Sequence, residues 1–187
     1  MEKMVDRINA LNPDVVIYAG DIFDNDYDAL DDSERLVEIM RNVSAAYGSY
    51  AVFGNHDVTE TLVGGFSTAS RTKAFRDPRM EAFLGQAGIN IMLDEVTTIA
   101  DGKINLIGRL DGEKAGDGTS NRKDLSELVK QCDMSKPVIV INHEPDKLHE
   151  TAAMGVDVML SGHTHAGQFF PLTIMPVSYT HLTLPTT

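Results

Sequence analysis

The chain has 187 residues, 42% of them hydrophobic, which suits one globular core and one domain. Its formal net charge of −12 argues against a partner held by phosphate neutralisation, since nucleic-acid binders present a basic face. Phosphate esters stay open as substrates, because bound cations invert a local field. The single cysteine, Cys132, excludes an internal disulfide, and no apolar run reaches the ~18 residues that cross a bilayer, so a soluble domain without a signal peptide is expected.

Residues 1–11 carry apolar side chains at Met4, Val5, Ile8 and Leu11, the period of an amphipathic helix that Asn12-Pro13 closes. Asp14-Val15-Val16-Ile17-Tyr18-Ala19 then reads as a buried strand running into Gly20-Asp21-Ile22-Phe23-Asp24. The acidic run at 26–34 reads as a solvated loop. Ser33 is expected to cap a helix whose apolar positions Leu36, Val37, Ile39, Met40 and Val43 continue towards Tyr47 and Gly48. A second strand at 49–53 delivers Gly54-Asn55-His56-Asp57.

Residues 59–76 show little period and read as a loop. Arg71, Lys73, Arg76 and Arg79 form the one basic cluster of the sequence, read as a solvated helix face in preference to a phosphate clamp. Asp77-Pro78 starts a helix and Gly88 stops it. After a short strand at 89–93, strands at 96–100 and 103–108 flank Asp101-Gly102, a two-residue hairpin signal. Residues 109–120 are glycine-rich and read as mobile; Arg109, Asp111 and residues 112–120 border a possible substrate pocket, with exposed loop charge the simpler account. A helix at 123–131 precedes the strand Val138-Ile139-Val140-Ile141, which presents Asn142-His143-Glu144-Pro145. Asp146 is expected to cap a helix ending near Gly155. The run Val156-Asp157-Val158-Met159-Leu160 reads as a buried strand leading to Ser161-Gly162-His163-Thr164-His165.

Helices and strands alternate, with a hairpin between two such halves. That order implies a layered α/β architecture with a mixed sheet, or a pair of sheets, covered by helices. All four polar clusters fall beyond the carboxyl ends of strands, where open α/β folds place their sites. They offer carboxylate from Asp21 and Asp24, amide oxygen from Asn55 and imidazole from His56, His143, His163 and His165. Such oxygen and nitrogen donors without thiolate suit Mn, Fe or Zn. One carboxylate can bridge two cations, which together clamp the attacking and leaving oxygens of a phosphoryl displacement while a metal-bound water supplies the nucleophile.

Gly20-Asp21-x-x-Asp24, Gly54-Asn55-His56-Asp57, His143 and Gly162-His163-x-His165, in that order, resemble four motifs of the calcineurin-like metallophosphoesterase superfamily. Ala166-Gly167-Gln168 and Phe170-Pro171 further resemble a bacterial, membrane-associated branch of phosphohydrolases, some of which cleave nucleotide-linked lipids or other phosphoesters. The resemblance implies an α-β-β-α sandwich with mixed sheets and two divalent cations, Mn, Fe or Zn. It also implies hydrolysis of a phosphomonoester or phosphodiester, on a small-molecule or lipid-linked substrate. Asp21 would bridge the metals, Asn55, His143 and His163 would complete one shell, and His165 would serve the other. His56 would protonate the leaving oxygen with Asp57 orienting its ring, and Asp24 would give outer support.

The superfamily's first motif, Asp-x-His, does not occur ahead of Asp21. Truncation at the front is the expectation, with the first strand missing, this chain impaired as a catalyst, and any membrane contact confined to a preceding segment. Residues 177–187 resemble a translated sequencing adapter, so the domain is taken as 1–176 and Tyr179 and His181 are left out of the site. The rival reading is a metal-binding scaffold or protein-interaction module without catalysis. A nuclease is disfavoured by the charge and by the lack of an aromatic-basic groove.

Overall fold

The computed structural model describes residues 1–59, 75–116 and 122–164, together with the backbone of 62–63 and 66–67. Two sheets carry the fold. In the first, β1 (Val16–Ala19), β2 (Ser49–Val52) and the strand Ile89–Ile91 lie parallel, with β2 in the centre. Between the last two in sequence comes a short antiparallel pair, β3 (Leu62–Val63) and β4 (Phe66–Ser67), so Ile89–Ile91 is β5. The second sheet has the order β6 (Glu95–Ile99), β7 (Ile104–Gly108), β8 (Val138–Ile141), β9 (Val158–Leu160). Its β6–β7 pair is antiparallel and the others parallel, so it is mixed.

Period-two alternation sorts these strands into layers, because successive side chains leave opposite faces. In β2, Ala51 turns with Phe53 towards the helices α2 (Ser33–Arg41) and α3 (Pro78–Gln86), where Val37, Met40, Met80, Phe83 and Leu84 are buried. Val52 turns the other way, into a core with Leu106 and Ile141 of the second sheet. Val138 and Val140 face outward to α4 (Leu125–Val129) and α5 (Leu148–Ala153). The layers are therefore α-β-β-α, and strands buried on both faces need the near-continuous apolar runs seen in 49–53 and 138–141.

Several local expectations are corrected. The N-terminal helix α1 spans Glu2–Ala10, yet only Val5 is buried and Leu11 is 80% exposed. Asp32, not Ser33, caps α2 by accepting from the Arg35 N–H, and the helix ends at Arg41. Asp77 and Pro78 do open α3. The hairpin link is four residues, 100–103, because Ile99 pairs with Ile104 and Ala100, Asp101 and Gly102 all take positive φ. Lys147, in the left-handed region, stands at the N-cap of α5, while Asp146 accepts from Asn142 Nδ2. In β9, expected to be buried, Val158 is 42% exposed. The loop 59–76 contains the β3–β4 pair and a bridge between Thr59 and Phe75.

The glycine-rich stretch after β7 is the largest departure. Arg109, Leu110, Asp111, Lys114 and Ala115 are buried, not exposed. Their anchor is Asp94, 1% exposed, whose Oδ1 accepts from Arg109 Nε at 3.0 Å and Leu110 N at 3.1 Å and whose Oδ2 accepts from Lys123 N at 2.7 Å. Removing one partner of a buried pair leaves the other charge uncompensated. Asp94→Ala is therefore expected to lower unfolding free energy by about 3–5 kcal/mol in urea titrations; a loss below about 1 kcal/mol would show that water replaces the carboxylate.

Candidate metal centre

Because β1 and β2 run parallel in register (Ala19 opposite Val52), their carboxyl ends deliver Asp21 and Asn55 to one edge. The same holds for β8 and β9 (Ile141 opposite Leu160), whose pairing continues through Asn142 N to Leu160 O and Gly162 N to His143 O, each at 3.0 Å. The two sheets meet at His143, which is 0% exposed. Its Nδ1 lies 2.7 Å from the carbonyl oxygen of Ala19. A carbonyl only accepts, so Nδ1 carries the proton and Nε2 of the neutral ring presents its lone pair.

That lone pair faces oxygen. His143 Nε2 is 3.2 Å from Asp21 Oδ2 and 3.2 Å from Asn55 Oδ1, and His163 Nδ1 is 3.0 Å from the same Asn55 oxygen. Asp21, His143 and His163 each offer a ligand atom within 4.8 Å of the others. Several Lewis bases converging with one imidazole fixed as the Nδ1–H tautomer is the donor set of a hard-to-borderline divalent cation.

Backbone shape makes room for this convergence. A Cβ on Gly54 would strike Asp21 Oδ1 and come within 2.6 Å of His143 Nε2, and one on Gly162 would lie 2.9 Å from Ala19 O. Gly20 has φ +90°, and a Cβ there would fall 2.8 Å from Gly54 N. Asp21 and His163 themselves take φ 54° and 65°. Non-glycine residues held in the left-handed region cluster at functional sites, where surrounding contacts over-determine them.

Charge follows the geometry. Burial works to raise the Asp21 pKa, but with no cation present hydrogen bonding and charge from the protonated form of His143 outweigh it and hold the carboxyl below its ordinary value. Burial likewise opposes protonation of His143, yet Asp21 and the Ala19 carbonyl win and move it up. His163 is moved down by burial and by His143.

The structure places the other expected residues as follows. His56 sits beside Asp21, its backbone N–H donating to Asp21 Oδ1 at 3.1 Å. Its ring is held by Asn25, whose Oδ1 is 2.7 Å from His56 Nδ1. Asp57 does something else: Oδ1 accepts from Ile22 N at 2.8 Å and Phe23 N at 2.7 Å, and Oδ2 from Gly54 N at 2.7 Å. It staples the segment 20–24 to Gly54-Asn55-His56-Asp57, and burial pushes its carboxyl up to about 6. Asp24 is exposed, and the buried Asn25 next to it carries the contact instead. Only position distinguished Asn25 in the sequence, one residue past the first motif.

His165, Arg71 and Lys73, the stretch 166–171 and the tail lie outside the described residues. Arg76 stacks over Phe53 at 4.7 Å and donates to the Ala115 carbonyl, while Arg79 pairs with Asp28 and Asp77. Arg76 is buried in these contacts, and Arg79 is half exposed on α3, in keeping with a solvated helix face. The acidic run itself is exposed, as expected, with Asp28 taken by Arg79 and Asp32 by α2.

Comparison with known proteins gives the family. Residues 1–167 match the calcineurin-like phosphoesterase family model, and the chain belongs to that family. It is 30% identical over 188 residues to a zebrafish (Danio rerio) transmembrane protein with metallophosphoesterase domain, covering 94% of this chain and 38% of that protein. It is 28% identical to the Bacillus subtilis uncharacterized metallophosphoesterase YkuE, covering 90% of this chain and 52% of the relative. Identity is 23% to the UDP-2,3-diacylglucosamine pyrophosphatase LpxG of Chlamydia trachomatis, over 90% of this chain and 58% of that protein. The chain thus spans between 38% and 58% of these curated relatives. No solved structure gives a significant match. Among the described residues no helix is long and apolar enough to cross a membrane.

Asp57→Ala is expected to cost about 3 kcal/mol of stability by chemical denaturation, since it strips the acceptor from three backbone N–H groups. Unchanged stability with slowed turnover would instead assign Asp57 to the His56 ring.

Proposed function

We propose that this domain hydrolyses phosphoesters at a pair of divalent cations. Asp21, Asn55, His143 and His163 would hold one cation; Asp21 and His165 would contribute to the other. The observation that carries the reading is the His143 ring, whose Nδ1 is spent on Ala19 O so that Nε2 is turned onto Asp21 and Asn55. When bound, the cations supply Lewis-acid charge for the phosphoryl oxygens and for the attacking water.

The chain's own residues do the rest. Asp21, kept ionised by its neighbours, can serve two cations through its two oxygens. His56 stands beside it with Nδ1 anchored on Asn25, which fixes the plane of the ring that would deliver a proton to the leaving oxygen. A scaffold would have no use for an imidazole oriented in this way. The relatives' names support a phosphohydrolase whose parent protein is membrane-associated and whose substrate is a small-molecule or lipid-linked phosphoester.

In the full-length protein, His56→Ala is expected to lower kcat by about 10²–10⁴ with metal content by elemental analysis unchanged. His143→Ala should lose metal as well as turnover. Metal loss in the His56 variant would make it a ligand; full metal content in the His143 variant would remove the basis of the centre.

A further inference from the structure

Asn25 is 2% exposed and takes φ 57°, a backbone that asparagine tolerates better than most residues. Three of its contacts fall on residues 56–58. Its backbone N–H donates to His56 O at 2.8 Å, its Nδ2 donates to Val58 O at 3.3 Å, and its Oδ1 lies 2.7 Å from His56 Nδ1. The Val58 carbonyl only accepts, so the amide NH₂ faces it and the amide oxygen faces the ring. That oxygen also only accepts, which makes His56 Nδ1 a protonated nitrogen. The main-chain bond sets where the imidazole starts, and the side-chain bond sets how its plane lies. The acids nearby have other places: Asp57 accepts from Ile22 N, Phe23 N and Gly54 N, and Asp24 is exposed. A buried neutral amide holds the ring.

How much a positioned acid contributes depends on the leaving group. In hydrolysis the water oxygen forms the new P–O bond while the old P–O bond breaks, and its electron pair stays on the leaving oxygen. His56, as the imidazolium with its Nδ1–H kept on Asn25, gives its other proton to that oxygen, and one proton of the attacking water then restores the ring. An alkoxide is about as basic as hydroxide, whose conjugate acid has a pKa of about 15.7, so it departs far faster with a proton. A phosphate leaving from an anhydride titrates near about 6 and departs readily without one. An imidazole anchored in this way therefore speeds the first reaction much more than the second.

We propose that Asn25 is the residue that positions His56 for proton delivery, and that the bond cleaved joins phosphorus to an alcohol oxygen in place of a second phosphate. The proposal rests on the phosphohydrolase reading above. Turnover of butyl phosphate, p-nitrophenyl phosphate and inorganic pyrophosphate is measured in the manganese-loaded full-length protein. Butyl phosphate is expected to be cleaved about tenfold faster than pyrophosphate. N25A should lower kcat about 10²-fold on butyl phosphate but about threefold on p-nitrophenyl phosphate, whose leaving phenolate is weakly basic, with KM within about twofold and metal content unchanged. In the metal-free chain, ¹⁵N-edited NMR should show His56 Nδ1 protonated, a reading that does not depend on the variant folding. An unprotonated Nδ1, equal losses on the two esters in N25A, or pyrophosphate as the faster substrate would overturn the proposal while leaving the hydrolase reading in place. No turnover of any of the three by the wild-type protein would defeat both.

Discussion

The hydrogen bond from His143 Nδ1 to the Ala19 carbonyl is the contact on which the centre depends. It crosses from the second sheet to the first, and it sets three things together. The tautomer is fixed, because the carbonyl accepts only. The ring plane is fixed, so Nε2 reaches Asp21 and Asn55. The separation of the two sheets at their carboxyl ends is fixed as well, since the imidazole admits no Cβ on Gly20 or Gly54 and the Ala19 carbonyl admits none on Gly162. Ligand geometry is thus inherited from sheet packing, which is stiffer than any loop.

A second layer of buried carboxylates holds the loops that the sheets release. Asp57 ties the first motif to the second, and Asp94 ties the end of β7 to the entry of α4. Asp111 accepts from Glu113 N and Lys114 N, and burial raises its pKa. Asp57 and Asp111 work through backbone N–H groups, while Asp94 combines such groups with the Arg109 guanidinium. These three buried acids are structural, while the run after Asp24 is solvated.

The layered fold was legible because double burial and period two leave a direct trace: 49–53 and 138–141 are apolar on both parities, and the structure sorts those parities onto different layers. Asp21, Asn55, His143 and His163 were legible because each follows such a strand. What escaped was set by tertiary partners. Nothing local says that Asp57 will find the N–H groups of Ile22 and Phe23, 35 and 34 positions away, instead of the adjacent imidazole. Asn25 was hidden by the acidic run after it, and the burial of Arg109, Leu110, Asp111, Lys114 and Ala115 by the glycines among them, which read as mobility until Asp94 is seen to hold Arg109 and Leu110. The cap of α2 slipped by one residue because Asp32 and Ser33 are both good capping residues and only backbone geometry chooses.

The distribution of arginine shows why such a site would need cations from outside the chain. Arg76, Arg79 and Arg109 are engaged with Phe53 and Ala115, with Asp28 and Asp77, and with Asp94. Arg76 and Arg109 are buried and each fixes a loop, so neither is placed to neutralise charge developing on a phosphoryl group. The donors at the centre, one carboxylate, one amide oxygen and two imidazoles, carry negative charge and lone pairs that would repel a phosphate on their own. Divalent ions reverse that sign, turning an arrangement hostile to anions into one that holds them. Acidity at the level of the whole chain is therefore compatible with the proposed phosphoester site: Arg76 and Arg109 secure loops, and divalent cations would meet the substrate.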